Sequence, residues 1–345
     1  MKILIVKLGS IGDIIHTLPS LAAIRQNVPG AEISWVVESR SAEILRGNEL
    51  IDRLIEVDTR SLRKGPIVAS ILPSLREHFR KLRRHKFDLA IDFQGLMKSA
   101  AIAKLSGAKI RYGFDTASMR EPASRIFLNR SVEVPKNTNI IRKNLALAAV
   151  ALGFEIPENG LKFPISTELA HTRERDDIVS GANAKFAILN PAGGWVTKLW
   201  PAENYGALAD QLWEAHRISS IVAVGPDESE LAARVLAASR SGKVTVARPS
   251  LKGFYELAKK ASVYVGGDTG PTHLAIAAGA PVVGIFGPTE WWRNGSPFSA
   301  DICVERTDID CRIDCHRRTC SNWICMDISV KTVFDAITKR LGDPG

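Results

Sequence analysis

Residues 263–289, VYVGGDTGPTHLAIAAGAPVVGIFGPT, gather the groups best suited to hold a phosphate. An apolar run ends in Gly266-Gly267-Asp268-Thr269-Gly270-Pro271-Thr272-His273. There the chain must turn sharply and start a helix at Thr269 or Gly270, with Pro271 in its first turn. The free N–H groups of a helix start, together with its dipole, favour an anion. The hydroxyls of Thr269 and Thr272 and the imidazole of His273 add donors at the same end. A capped strand–turn–helix unit without a ligand needs fewer such groups. The phosphate reading therefore leads, in keeping with the rule that α/β sites form at the carboxyl ends of strands.

Other residues could do chemistry, each with a plainer reading beside it. Asp13 follows the tight turn Gly9-Ser10-Ile11-Gly12 and enters the first turn of a helix. It either complements the helix dipole or serves as a general base, a weak one toward a ground-state alcohol that takes the proton late. Lys198, just beyond the glycine turn at Gly193-Gly194, is either a solvated lysine or a partner for phosphate. Glu228 follows Gly225-Pro226 and reads as a first-turn acid or as an acceptor for ribose hydroxyls. Arg60, Arg63, Lys64 and Arg120 could hold an anionic acceptor, whereas Arg76, Arg80, Arg83 and Arg84 recur along one helix as a solvated or lipid-facing stripe. Cys303, Cys311, Cys315, Cys320 and Cys325 lie close together in sequence, but their spacing is loose against zinc knuckles, which leaves a structural metal or thiols that are reduced or adventitiously oxidised.

These residues need strand ends to hold them. Strands are expected at 2–8, 32–38, 53–58, 87–93 and 109–114, with helices between them, one beginning after Gly12 and one over 138–152. A polar stretch at 153–167 is the best linker. A second alternating series follows at 186–191, 220–225, 244–247, 263–267 and 282–287. Alternation of this kind predicts parallel sheets covered on both faces, hence an α/β fold of two doubly wound, Rossmann-like domains facing across a cleft, 1–165 and 166–345. The last helix, 330–341, is expected to pack back on the N-terminal domain.

The bulk numbers fit. A chain of 345 residues suits two domains. Residues 1–165 hold 26 Lys and Arg against 16 Asp and Glu, a net of +10, while the remainder is −1. That asymmetry points to an acidic partner for the first half. No run approaches the roughly 20 apolar residues of a membrane helix, and the start MKILIVKLGS lacks the pattern of a signal peptide, so a cytoplasmic location is expected. No helix-turn-helix, zinc-knuckle or RNA-binding aromatic motif accompanies the basic residues, which excludes nucleic acid as the expected partner.

Five segments taken together, KLGSIGDIIHTLP at 7–19, DFQGLMKSA at 92–100, REPAS at 120–124, TKLWP at 197–201 and 266–289, resemble the ADP-heptose:lipopolysaccharide heptosyltransferases, with the inner-core heptosyltransferase I group nearest in pattern. The resemblance implies a GT-B glycosyltransferase with the acceptor on the N-terminal domain and the nucleotide sugar on the C-terminal one. It implies inverting transfer with no metal and no other cofactor, which sets aside the short Asp308-x-Asp310 match. By the same resemblance Asp13 is the base and Lys198 the lysine on the diphosphate. Asp268, Thr269, Gly270 and His273 form the sugar-nucleotide loop, Glu228 binds ribose, and Ser10 and Gly12 lie at the donor. Arg60, Arg63, Lys64 and Arg120 hold the phosphorylated, carboxylated Kdo2-lipid A acceptor. NPAGGWVTK at 190–198 replaces a Thr-Thr pair of heptosyltransferase I, which moves those contacts to backbone N–H groups at Gly193 and Gly194 or to Thr197. The cysteine-rich tail is a second departure.

The expected function is transfer of L-glycero-D-manno-heptose from ADP-heptose to Kdo of the lipopolysaccharide inner core, by a cytoplasmic enzyme peripheral to the anionic inner membrane. Alternatives are heptosyltransferase II or a related transferase, a nucleotide-sugar epimerase or hydrolase on the same fold, and a non-catalytic sugar-nucleotide binder.

Overall fold

The apolar runs form two sheets of six parallel strands in the computed structural model, which describes residues 1–59, 80, 82–156, 160–181, 185–312 and 315–342. The chain divides into two compact units, Met1–Ser166 and Thr167–Gly345. In the first, β1 (Lys2–Val6), β2 (Glu32–Glu38), β3 (Arg53–Val57), β4 (Leu89–Asp92), β5 (Ile110–Phe114) and β6 (Arg130–Val132) lie in the order β3-β2-β1-β4-β5-β6. In the second, β7 (Phe186–Asn190), β8 (Ser219–Ala223), β9 (Val244–Ala247), β10 (Val263–Gly266), β11 (Val282–Phe286) and β12 (Ile302–Glu305) lie in the order β12-β11-β10-β7-β8-β9. Both orders are the doubly wound one, in which the first strand is central and the winding reverses beside it. The switch points fall between β1 and β4 and between β7 and β10. The α/β, Rossmann-like class expected from the alternation is the one observed.

Burial explains which runs became strands. β4, β7, β10 and β11 are buried along their whole length, because helices cover both faces of a parallel sheet. The two strands not expected from sequence, β6 and β12, are short edge strands with polar or partly exposed residues, so they carry no continuous apolar run. Residues 11–27 form two helices rather than one, Ile11–Ile15 and Leu18–Asn27. Pro19 has no N–H for the carbonyl four residues back, and the Thr17 hydroxyl takes the Asp13 carbonyl at 2.9 Å instead. Asn144, on the Ile140–Leu152 helix, donates to the His16 carbonyl at 3.0 Å and secures the break.

The last helix belongs to the core of the second unit. Val330–Gly342 packs within the second unit, against the Ala202–His216 helix, β11 and β12, with Val333 and Ile337 fully buried in that unit's core. Its apolar stripe fits the sheet it follows in sequence. Among the described residues no helix is long and apolar enough to cross a membrane. Because Ile337 is wholly enclosed, Ile337→Ala is expected to lower stability by about 2–5 kcal/mol, measured as the urea midpoint of the second unit's transition. A loss below about 1 kcal/mol would mean the helix is not integral to that core.

Candidate functional site

Both switch points carry chemistry-bearing residues. In the first unit the chain leaves β1 through Lys7, whose side chain is 3% exposed. Its ammonium donates to the Phe93 carbonyl at 2.9 Å and stands 3.6 Å from Asp13 Oδ1. Gly9 then takes φ +143°, and a Cβ there would lie 2.9 Å from Ser41 Oγ, so the turn needs a glycine. Ser10, at the N-cap of the Ile11–Ile15 helix, donates its N–H to Asp13 Oδ2 at 2.9 Å, its hydroxyl lying 3.3 Å from the same oxygen. Gly12 is buried in the first turn. Burial pushes the Asp13 carboxyl up, but Lys7, His16 and the Ser10 donors outweigh it and hold it below the ordinary aspartate range. Asp13 keeps 35% of its side-chain surface, so it is ionised, oriented and reachable.

The neighbouring strand end frames it. Gln94 Oε1 accepts from Leu8 N at 3.1 Å and Gly9 N at 3.4 Å. Fully buried Asp92 accepts from Gln94 N at 2.9 Å and Gly95 N at 3.3 Å, and its other oxygen is 3.0 Å from Ser99 Oγ. Burial pushes this carboxyl up to about 6 despite those donors and Lys7. Arg120 is exposed at the same sheet edge, where Glu121 N donates to the Gly95 carbonyl at 3.1 Å and Glu121 Oε2 accepts from Met97 N at 2.7 Å. Arg60, Arg63, Lys64 and Arg76 lie outside the described residues. Arg83 donates to the Leu105 carbonyl at 3.0 Å at a helix end, and it and Arg84 are exposed.

The second switch point brings Lys198 and the glycine-rich loop together. A Cβ at Gly267 would lie 3.2 Å from the Lys198 carbonyl, so a larger residue fits at this crossing only if that backbone gives by a few tenths of an ångström. Lys198 Nζ donates to Asp268 Oδ2 at 2.6 Å and to the Asp268 carbonyl at 3.1 Å, and it sits 4.3 Å from the Trp195 ring centroid. His273 Nε2 lies 3.3 Å from Asp268 Oδ1. Burial alone would raise the Asp268 carboxyl, but His273 and Lys198 hold it well below the usual carboxylate range. Trp200 secures this segment: it is almost wholly buried, and its Nε1–H donates to the Ile328 carbonyl at 2.8 Å. Lys198 is therefore a 12% exposed member of an ion cluster, not a solvated lysine. Thr269 is the N-cap of the Gly270–Ala277 helix, with Pro271 in the first turn. Glu228 is half-buried at the end of β8, one oxygen accepting from Gly225 N at 2.7 Å.

Three expected donors turn inward. Thr272 is fully buried, its hydroxyl given to the Gly267 carbonyl and 2.9 Å from Tyr264 OH; it shapes the loop rather than lining its outer end. Thr197 is 2% exposed and donates to the Arg317 carbonyl at 2.7 Å, which leaves Gly193 and Gly194 as the open part of that turn. His273 is 5% exposed and directed at Asp268. The five cysteines are free thiols, and burial pushes Cys325 up. Among the described residues no three His, Cys, Asp or Glu side chains are arranged to hold a metal ion. Asp308 pairs with Arg306 at 2.6 Å.

Sequence reading passed over Lys7, Asp92 and Gln94. A lysine and an aspartate closing two otherwise apolar strands were the available signal.

The two buried carboxyls titrate in opposite senses. A raised folded-state value means that folding takes up protons, so the Asp92 contribution is lost as pH rises from about 4 through 6. Asp92→Asn, which still accepts from Gln94 N and donates to Ser99, is expected to flatten the stability profile across that window. Asp268 contributes stability that is present above the unfolded carboxylate value and lost as pH falls through and below about 4. The advantage of wild type over Asp268→Asn in chemical denaturation is expected to hold down to about pH 5 and to shrink as pH drops from there toward about 3. A constant difference would mean that Asp268 is not held as an ion.

Residues 75–323 match the family model for glycosyltransferase family 9 (heptosyltransferase). Lipopolysaccharide heptosyltransferase 1 of Pseudomonas aeruginosa is 31% identical over 321 residues, 93% of this chain and 88% of the relative. The structure of Escherichia coli heptosyltransferase WaaC with ADP superposes with a TM-score of 0.78 at 27% identity, covering 99% of this chain and 100% of that one. The same enzyme with ADP-2-deoxy-2-fluoro heptose gives 0.73 at 29% identity, covering 88% of this chain and 93% of that one. With doubly wound units and charged groups at both switch points, the chain belongs to glycosyltransferase family 9, the heptosyltransferases.

Proposed function

We propose that this enzyme transfers L-glycero-D-manno-heptose from ADP-heptose to Kdo of the lipopolysaccharide inner core, with inversion and without a metal ion. The observation that carries the reading is the Lys198–Asp268–His273 cluster beside a glycine turn and a helix start, at the switch point where α/β proteins bind ligands. Its support from relatives is the donor analogue held by WaaC.

In the reaction the acceptor oxygen forms a bond to the anomeric carbon while the bond from that carbon to the β-phosphate oxygen breaks. The electron pair leaves with ADP, and the acceptor proton goes to the Asp13 carboxylate. A carboxylate held below its ordinary range by Lys7 is a poor base toward a free alcohol. It becomes adequate once bond formation has made the hydroxyl acidic. The charge gathering on ADP meets Lys198 and the N–H groups at the start of the Gly270–Ala277 helix. In this reading Glu228 accepts ribose hydroxyls. Arg60, Arg63, Lys64 and Arg120 attract the phosphates and carboxylates of Kdo2-lipid A, and the +10 charge of residues 1–165 draws the enzyme to the anionic cytoplasmic face of the inner membrane.

The test is ADP release from ADP-heptose, with and without Kdo2-lipid A, in EDTA. Wild type is expected to release ADP only with acceptor. Asp13→Ala should lose roughly 10²–10⁴-fold in kcat while still binding ADP. Release that ignores the acceptor would mark a hydrolase, and loss of activity in EDTA would overturn the metal-free mechanism.

A further inference from the structure

Residues 315–325 are absorbed by none of the roles above, yet they are fastened onto the Lys198 turn. The Arg317 carbonyl accepts from the Thr197 hydroxyl at 2.7 Å, and Trp323 Nε1–H donates to the Thr197 carbonyl at 3.0 Å. At the neighbouring strand end, His316 N donates to the Pro288 carbonyl at 3.0 Å. Buried Cys325 lies against the turn at Gly287, where an added Cβ would be 3.1 Å from its sulfur. The loop is thus pinned to the ends of both β7 and β11.

That fastening delivers a charge. The Arg318 guanidinium stands 5.3 Å from the centroid of the Trp195 ring, the same ring that Lys198 approaches at 4.3 Å. Trp195 directly follows Gly193 and Gly194, the open part of the turn. The two cations differ in how they are compensated. Lys198 is neutralised by Asp268 at 2.6 Å, whereas Arg318 is exposed and has no ion pair among the described residues. An indole face attracts a cation only weakly at an exposed site and does not neutralise it. Two like charges gathered on one ring, only Lys198 of them paired with a carboxylate, leave a surplus positive charge beside a glycine turn. A planar guanidinium suits two phosphate oxygens at once.

We propose that Arg318 is a second cation of the donor site, binding the diphosphate of the sugar nucleotide beside Lys198, and that residues 315–325 are a wall of that site. The proposal rests on the ADP-heptose reading above. It accounts for why the chain spends Thr197 on the loop instead of on the ligand: the hydroxyl holds in place the segment that brings the arginine.

The experiment is calorimetric titration of ADP, AMP and adenosine into wild type, Arg318→Gln and Arg318→Lys. The expected result for Arg318→Gln is a loss of roughly tenfold for ADP, less for AMP and none for adenosine, with an unchanged melting temperature. Arg318→Lys should recover part of the ADP affinity. Equal loss for all three ligands would overturn the proposal by showing a general effect on the turn, and so would wild-type affinity for ADP in Arg318→Gln. Wild type that does not bind ADP would overturn the donor reading itself, a result distinct from either.

Discussion

A parallel sheet whose first strand is central forces the chain to wind first one way and then the other. The loops after β1 and β4, and those after β7 and β10, therefore leave for opposite faces of their sheets. Backbone groups at these strand ends lose their sheet partners together, and something must satisfy them. In the first unit Gln94 reaches back to Leu8 and Gly9, and Asp92 takes Gln94 and Gly95. In the second, Thr272 takes the Gly267 carbonyl and Lys198 the Asp268 carbonyl. The polar residues at each switch point thus close the fold locally while placing a charged group at the opening. Stability and chemistry share the same few side chains.

The two openings use opposite charge logic. Around Asp13 a buried ammonium and a helix start keep a carboxylate ionised, which suits a group that receives a proton late. Around Lys198 a buried carboxylate keeps an ammonium in place, which suits a group that meets developing negative charge. In each case the charge that acts is held by a partner of the other sign less exposed than itself. Side chains 3% and 7% exposed have few alternative positions, so the geometry is set before any ligand arrives.

Much of this was legible in the sequence. Apolar runs ending in Gly9, Gly193 and Gly267 located the strand ends, and the five-segment resemblance named the family. What was not legible depends on direction rather than type. Thr197 and Thr272 are good phosphate-binding residues by composition, but both point inward, because one must fasten a loop 120 residues away and the other must shape a tight turn. Pro19 broke a helix that apolar spacing alone made continuous. The final helix followed the apolar face of the sheet beside it, a contact that no local pattern encodes. Edge strands β6 and β12 escaped notice for the opposite reason: half-exposed strands need no continuous apolar run.

The pairing of Lys198 with Asp268 also bears on which anions can settle at the second switch point. A singly charged anion arriving at a lysine that is already neutralised gains little Coulomb energy and must displace a 2.6 Å hydrogen bond to gain it. A ligand with two linked phosphates can engage the helix start and the ammonium together without evicting the carboxylate. On the proposed donor reading, the internal counter-ion favours a ligand that brings two phosphates over a monoanion that meets Lys198 alone.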